Sequence, residues 1–222
     1  MEFEGKLRDG SRVLFRHIRP DDKDRLRLGF EMLSEASRYR RFFRFIDHLS
    51  DDDLRYLTEV DLKDHYAWIA VLPDEKGEPG LAVARWIRIK SEPEVAEAAI
   101  TVIDAYQGEG LGSTLLWLLG RSAVENGLTA LRVWVQGENV QVLAMLADFG
   151  VKPQRWEGGV SEVDIPLPTE LAYWDQDPAK IVLKAVASGE IRAHQHSPLS
   201  GAALSAPSET GLEDSDGAPD RT

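Results

Sequence analysis

Between Val95 and Ile103, small and β-branched residues run without a Gly or Pro, and leucines at helical spacing follow at Leu111, Leu115, Leu118 and Leu119. That pattern predicts a strand, a glycine-rich turn and a helix. Asn126-Gly127 supplies the left-handed residue that commonly ends such a helix. Upstream, His65 to Leu72 and Gly80 to Ile89 read as strands joined by a turn at Pro73 to Gly77. A loop from Lys90 to Pro93 then leads into the central strand. Strands joined this closely form an antiparallel meander. Ala130 to Val135 reads as the strand after the helix. A strand, helix, strand succession sets its two strands side by side and parallel, so the predicted sheet is mixed.

The flanks follow the same logic. Asp9-Gly10 is a hairpin turn signal, and Val13, Phe15 and Arg16 lead into a strand. Arg19-Pro20-Asp21-Asp22 starts a helix over Asp22 to Met32. Ser34 caps a second helix from Glu35 to about Arg44, and Ser50 caps a third from Asp51. In the second, Tyr39, Phe42, Phe43 and Ile46 fall at i, i+3, i+4 and i+7. This predicts a buried aromatic stripe with Arg38, Arg40, Arg41 and Arg44 on a solvated face, in preference to a nucleic-acid-binding surface. Glu138-Asn139 opens a further helix with Val142, Leu143, Leu146 and Phe149 as its apolar face, ending at Gly150. Trp156 to Leu167 supplies one or two closing strands around Gly158-Gly159.

Residues 1–168 therefore read as one body. Residues 169–190 form a helical extension, with Asp177-Pro178 at its start, Ile181, Val182 and Val186 as a stripe, and Gly189 as a stop. Residues 191–222, rich in Ser, Pro, Gly, Ala and acidic side chains, are expected to be disordered. His194 and His196 in that tail lack the further ligands a metal site needs.

Composition narrows the chemistry. The 222 residues include no cysteine, which excludes disulfides, thiolate metal sites and a cysteine nucleophile. No stretch reaches membrane-spanning length and no signal-peptide pattern opens the chain, so a cytoplasmic protein is expected. A formal net charge of -12 disfavours nucleic-acid binding and favours a cationic partner. It also opposes a polyphosphate ligand, so local donors would have to hold one.

Such donors are predicted at Gln107-Gly108-Glu109-Gly110-Leu111-Gly112-Ser113. Glycines at a strand-to-helix turn let the backbone approach a ligand, and the first amides of the helix point at it. No Lys precedes Ser113, so this is not a nucleoside-triphosphate loop. The glycine spacing is also wrong for a dinucleotide fingerprint. Gln-x-x-Gly-x-Gly, met by Gln107, Gly110 and Gly112, resembles the pyrophosphate loop of the GNAT superfamily of N-acetyltransferases, over roughly Leu7 to Leu167. Within it the chain is most similar to bacterial protein lysine acetyltransferases, through Ile18-Arg19-Pro20-Asp21-Asp22, the run from Leu33 to Phe43, and Ala96-Glu97-Ala98-Ala99.

The resemblance implies an α/β (α+β) fold, the GNAT fold: a mixed, mostly antiparallel central sheet flanked by helices. It implies acetyl-CoA as cosubstrate, with no metal. The amides of Gly108, Glu109, Gly110, Leu111 and Gly112 and the Ser113 hydroxyl would hold the pyrophosphate. Main chain from Ile100 to Val102 would pair with the pantetheine arm, and the Val102 amide would face the thioester carbonyl. Asn139 matches a coenzyme-contacting Asn, although a plain helix cap explains it equally well.

Glu97 matches the family's catalytic glutamate. Strict alternation sets it on one face with Val95, Ala99, Thr101 and Ile103, where apolar neighbours should raise its pKa. Glu92 and Glu94 are expected to face water. Many members carry a proton-donating Tyr where this chain has Leu146, so the general acid is unassigned. The implied acceptor is a primary amine, foremost a protein lysine. A small-molecule amine, or a non-catalytic acyl-CoA sensor, are the alternatives. A monomer or homodimer is expected. Some relatives fuse a cyclic-nucleotide-binding or ligase-like domain; none is read in these residues, so regulation is expected from the tail, a partner or substrate supply.

Overall fold

The computed structural model describes residues 2–174 apart from residues 8, 74–78, 141, 144–145, 147–150, 152 and 154–155. The expected extension beyond Trp174, the acidic tail with His194 and His196, most of the turn at Pro73 to Gly77, and Phe149-Gly150 lie outside the described residues.

Seven strands form one sheet in chain order: β1 (Glu2–Lys6), β2 (Arg12–His17), β3 (His65–Val71), β4 (Ala82–Ile89), β5 (Glu92–Val102), β6 (Ala130–Gln136) and β7 (Val160–Pro166). Every neighbouring pair is antiparallel except β5 and β6. That parallel pair is joined by α4 (Leu111–Glu125), as a crossover requires. The mixed, mostly antiparallel architecture is therefore as expected. So is the helix stop, with Gly127 at φ 77°.

The boundaries correct several expectations. A whole strand, β1, precedes the Asp9-Gly10 turn and pairs with β2 from Glu2↔Arg16 to Lys6↔Arg12. The segment from Lys90 to Pro93 is not a loop, because β5 already begins at Glu92. Pro93 fits there because the β4–β5 register shifts between Arg88 and Ile89, and a bulge is where a strand tolerates Pro. Arg88 clamps the bulge by donating to the Pro93 carbonyl, to the Asn126 carbonyl at 2.8 Å and to Asp64. The closing region is the single strand β7 plus an isolated bridge, Glu157↔Val160.

Helices cover both faces of the sheet. On one side α4 packs on Trp68, Ala84, Trp86, Ala96, Ala98, Leu131 and Val133, the main core. Ser122 is buried there because its hydroxyl accepts the Trp86 indole N–H at 3.0 Å. A Cβ at Gly120 would lie 2.4 Å from the Trp174 ring, so only glycine lets Trp174 seat against α4. Trp174 belongs to the short helical turn α5 (Leu171–Trp174), and it joins the main core.

On the other face lie α1 (Lys23–Glu31), α2 (Glu35–Phe42) and α3 (Asp51–Thr58). Phe30, Leu33, Leu49, Leu54 and Leu57 pack among themselves, and Ala67, Ile69 and Val71 of β3 form a second cluster with Ile18 on this face of the sheet. A bidentate pair from Arg16 to Asp22, at 2.7 and 2.6 Å, fastens β2 to the turn before α1.

The aromatic stripe expected in α2 holds only in part: Phe42 and Ile46 pack on the cluster around Phe30, but not along one helical face. Phe43 adopts φ 51° and ends the helix, so the i+4 to i+7 spacing never becomes one helical face. Tyr39 is exposed, and the buried positions are Ser37 and Arg41. One of the four arginines expected in water is therefore inside.

Candidate active site

Between β5 and α4 the chain makes a 3-10 turn, Asp104–Tyr106, that the sequence pattern did not signal. Its Asp104 carboxylate accepts from the Ser34 amide at 3.0 Å and from the hydroxyls of Ser34 and Ser37, both at 2.9 Å. Burial acts to raise this carboxyl, but the serine donors outweigh it and hold Asp104 below the usual carboxylate range. The turn is thereby tied to the start of α2, seventy residues earlier in the chain. Sequence reasoning missed this pair, since Ser34 looked like a cap and nothing else.

Gln107 follows with extended backbone, and its side chain donates to the Val102 carbonyl at 3.3 Å, folding the loop onto the end of β5. Gly108 and Gly110 adopt φ +88° and +86° with nothing within 4 Å of where a Cβ would stand. Glycine is demanded there by backbone conformation, not by crowding. Gly112 differs: it is buried in the first turn of α4 and has no positive φ. The three glycines of the motif thus meet different backbone demands.

The start of α4 has no side-chain cap and no acidic residue in its first turn. Its first intrahelical bond runs from the Thr114 amide to the Gly110 carbonyl at 3.1 Å. The amides of Leu111, Gly112 and Ser113 therefore precede any partner within the helix. Ser113 is half-buried beside them.

The sheet opens next to this helix start. The parallel ladder between β5 and β6 consists of Val95↔Ala130, Ala96↔Leu131 and Glu97↔Arg132, and then stops. β6 continues with β7 as far as Gln136↔Val160, while β5 continues with β4 as far as Val102↔Ala82. The two strands diverge like a V with Glu97 at its apex. The direction of the main chain in the opening follows from parity. The Glu94 carbonyl accepts from Thr129 on the β6 side, and the Ile103 amide donates to Leu81 on the β4 side. Even-numbered residues of β5 thus turn their main-chain groups toward β6. At Ile100 those groups face the V, and at Val102 the amide does, the carbonyl already accepting from Gln107.

Glu97 is half-buried, and its side chain lies on the sheet face opposite α4. Its β6 neighbour Arg132 donates to Glu92 at 2.7 and 2.9 Å and to Asp164 at 2.7 and 2.9 Å, and approaches Glu162 at 3.2 Å. Asp164 first and Glu92 second hold the guanidinium above its ordinary pKa, and Glu92 is lowered in return. Glu92 thus has an ionic role that the sequence did not disclose. Across the face, the Tyr56 phenol is raised by burial and feels Arg85, Glu97 and Arg41 together. Asn139 is buried and acts as a cap, accepting from the Val142 amide at 3.3 Å, which favours the plainer of its two readings. Leu146 is fully enclosed in the main core and offers no proton. Among the described residues no group of His, Cys, Asp or Glu is arranged to hold a metal ion.

These parts fit a ligand bearing phosphates on an extended arm. Bare amides at a helix start suit the phosphates, and outward main-chain groups at Ile100 and Val102 suit an arm that pairs like a strand. The family comparison agrees. A model of the Acetyltransferase (GNAT) family matches residues 30–151, and the chain belongs to that family. It is 33% identical over 189 residues to Acetyltransferase Pat of Mycolicibacterium smegmatis, covering 82% of this chain and 56% of that protein. The GNAT domain of S. lividans PAT has TM-score 0.66 and 32% identity, covering 75% of this chain and 97% of that one. A cAMP-binding acyltransferase from Mycobacterium smegmatis has TM-score 0.55 and 26% identity, covering 86% and 54%. The chain thus spans about half the length of the first and last of these relatives. No helix among the described residues is long and apolar enough to cross a membrane.

Proposed function

We propose that this chain moves an acetyl group from acetyl-CoA directly to a primary amine, and that the amine is a lysine side chain of another protein. The observation that carries the reading is the coincidence of an uncapped helix start with a sheet that opens at Glu97. In this reading acetyl-CoA supplies an activated thioester, and the protein supplies position and proton handling. Amides from Gly108 to Gly112, with Glu109 and Leu111 between the glycines, grip the pyrophosphate with the Ser113 hydroxyl. Ile100 and Val102 align the arm, and the Val102 amide stabilises negative charge on the carbonyl oxygen. Asn139 contributes by fixing the turn after β6.

A lysine amine has a pKa of ~10.4 and arrives protonated at neutral pH. Glu97 takes its proton, through a water. The leaving thiolate is reprotonated by solvent or Ser113, because Leu146 cannot do it. A lysine acceptor is supported by the carboxylates of Glu92, Glu97, Glu162 and Asp164 gathered on this face around one arginine, by the net charge of -12, and by the names of the relatives. We place the reaction in the cytoplasm, with the protein as a monomer or homodimer and without nucleic acid, membrane or metal.

Calorimetry with coenzyme A together with the variant Glu97→Gln tests this. Turnover should fall about 10²- to 10⁴-fold with coenzyme affinity unchanged. A sensor module would keep whatever it does, and a protein that ignores coenzyme A would end the proposal. Acetyl-lysine proteomics against a panel of small amines decides the acceptor.

A further inference from the structure

A cavity lies between the sheet and helices α1 to α3, lined by Phe30, Leu33, Arg41, Leu57, Arg85 and Ala99 among others. It is partly open to solvent and offers about 60 Å³, against the roughly 10–15 Å³ that a single water needs. A space of that size takes a few heavy atoms. Its lining is apolar except for Thr101 and two guanidinium groups, and both arginines are inside the protein, Arg41 at 8% and Arg85 at 2% exposure.

Neither arginine has a carboxylate partner among the described residues. Arg85 donates to the Leu57 carbonyl at 3.0 Å and to His65 Nε2 at 2.9 Å, both neutral acceptors. Arginine always donates, so His65 Nε2 accepts and its proton sits on Nδ1. Arg41 makes no hydrogen bond or ion pair to any described residue; its guanidinium lies 4.7 Å from the Phe42 ring centre. Two like charges thus face one small cavity. A buried charge without a partner is among the costliest features a fold can carry. Burial lowers Arg41 to about 10, and burial followed by the charge of Arg41 lowers Arg85 to about 9. Both therefore stay cationic at neutral pH.

We propose that Arg41 and Arg85 form a binding site for one small carboxylate, set beside Glu97 on the acceptor face. Two cations match a group with two acceptor oxygens, and the apolar walls suit a short carbon chain behind it. The strand register fixes the location: Arg85 pairs with Ala99, and the next pair on that face is Ile87 with Glu97. The carboxylate could arrive on a free acid or at the far end of an acyl-CoA. Only the second route rests on the transferase reading above.

The test uses the full chain and the variants Arg41→Met and Arg41→Lys, with melting temperature read against acetate, propionate, succinate, phosphate and chloride at constant ionic strength. The free-acid route predicts a saturable rise of about 3 °C with a carboxylate for the native protein and Arg41→Lys, absent for Arg41→Met. The acyl-CoA route predicts that succinyl-CoA binds the native protein and loses at least tenfold in Arg41→Met, while acetyl-CoA binding is unchanged. Equal shifts from every anion, or shifts and affinities that persist in Arg41→Met, overturn the proposal. A protein that takes a free carboxylate but ignores coenzyme A would overturn the transferase reading alone. Arg41 is the residue to vary because Arg85 also holds the end of α3, and its loss would confound binding with folding.

Discussion

Helices α2 and α3 begin in one way and α4 in another. Ser34 accepts from the Ser37 amide, and Ser50 accepts from the Asp53 amide while Asp53 returns the bond. Glu35 stands in the first turn of α2, and Asp51, Asp52 and Asp53 in that of α3. These starts satisfy their own amides and oppose their own dipoles. The start of α4 does neither: Gly110 brings no side chain and no carboxylate follows in the first turn. A helix start left unsatisfied by its own sequence, beside two helices that are capped by serines, is where the proposed ligand would complete the structure. The charge makes the contrast sharper, since a chain with 38 acidic residues places none of them in this turn.

The largest effect should come from spoiling the left-handed residue. Gly110→Val forces a β-branched side chain into φ +86°, at a cost of about 1–2 kcal/mol or more. We expect coenzyme A affinity to fall by more than about 100-fold, about 2.7 kcal/mol, by calorimetry. Native-like affinity would show that the loop geometry does not matter to binding.

Next comes an exchange of chemistries. Ser113→Asp gives α4 the third-position acid that α3 has in Asp53. It should stabilise the free protein by about 0.3–1 kcal/mol while weakening coenzyme A roughly tenfold. Opposite signs in melting temperature and affinity are the diagnostic outcome. If both move together, the helix start is not serving a ligand.

A third comparison separates the two capped starts. Ser50→Ala should cost about 1 kcal/mol and leave coenzyme binding alone. Ser34→Ala should cost about 1–2 kcal/mol, because it removes both a cap and an anchor of Asp104, and should weaken the coenzyme severalfold through the displaced loop. Identical binding by the two variants would show that the Ser34–Asp104 link is structural only.

The last effect, confined to acid pH, concerns the far end of α3, where Arg85 binds the Leu57 carbonyl and His65. Burial first, and then the charge of Arg85, lower His65 to about 4, against the opposing pull of Asp61. The folded value lies below the unfolded one of 6.5, so this stability is complete above pH 6.5 and is lost as the pH falls toward 4. With partial solvent screening the loss is on the order of 1–2 kcal/mol. His65→Gln keeps an acceptor for Arg85 and should flatten that part of the stability profile. An unchanged slope would assign it to the carboxylates.

Local patterning was enough to read the strand, glycine turn and helix, the two serine caps, the stop at Gly127 and the parallel crossover, because each depends on residues within a few positions of one another. It failed wherever distant segments meet. Asp104 binds Ser34, and Glu92 binds Arg132 across the sheet, but neither pairing has a local signature. Arg41 looked solvated because helical spacing was carried through Phe43, where the backbone turns left-handed and ends the helix. By itself the sequence determined which elements form and which loop has bare amides. The tertiary structure alone decided that β5 and β6 part at Glu97 and that two arginines share a cavity, since strand divergence and burial of charge are set by what packs against a segment and not by the segment's own pattern.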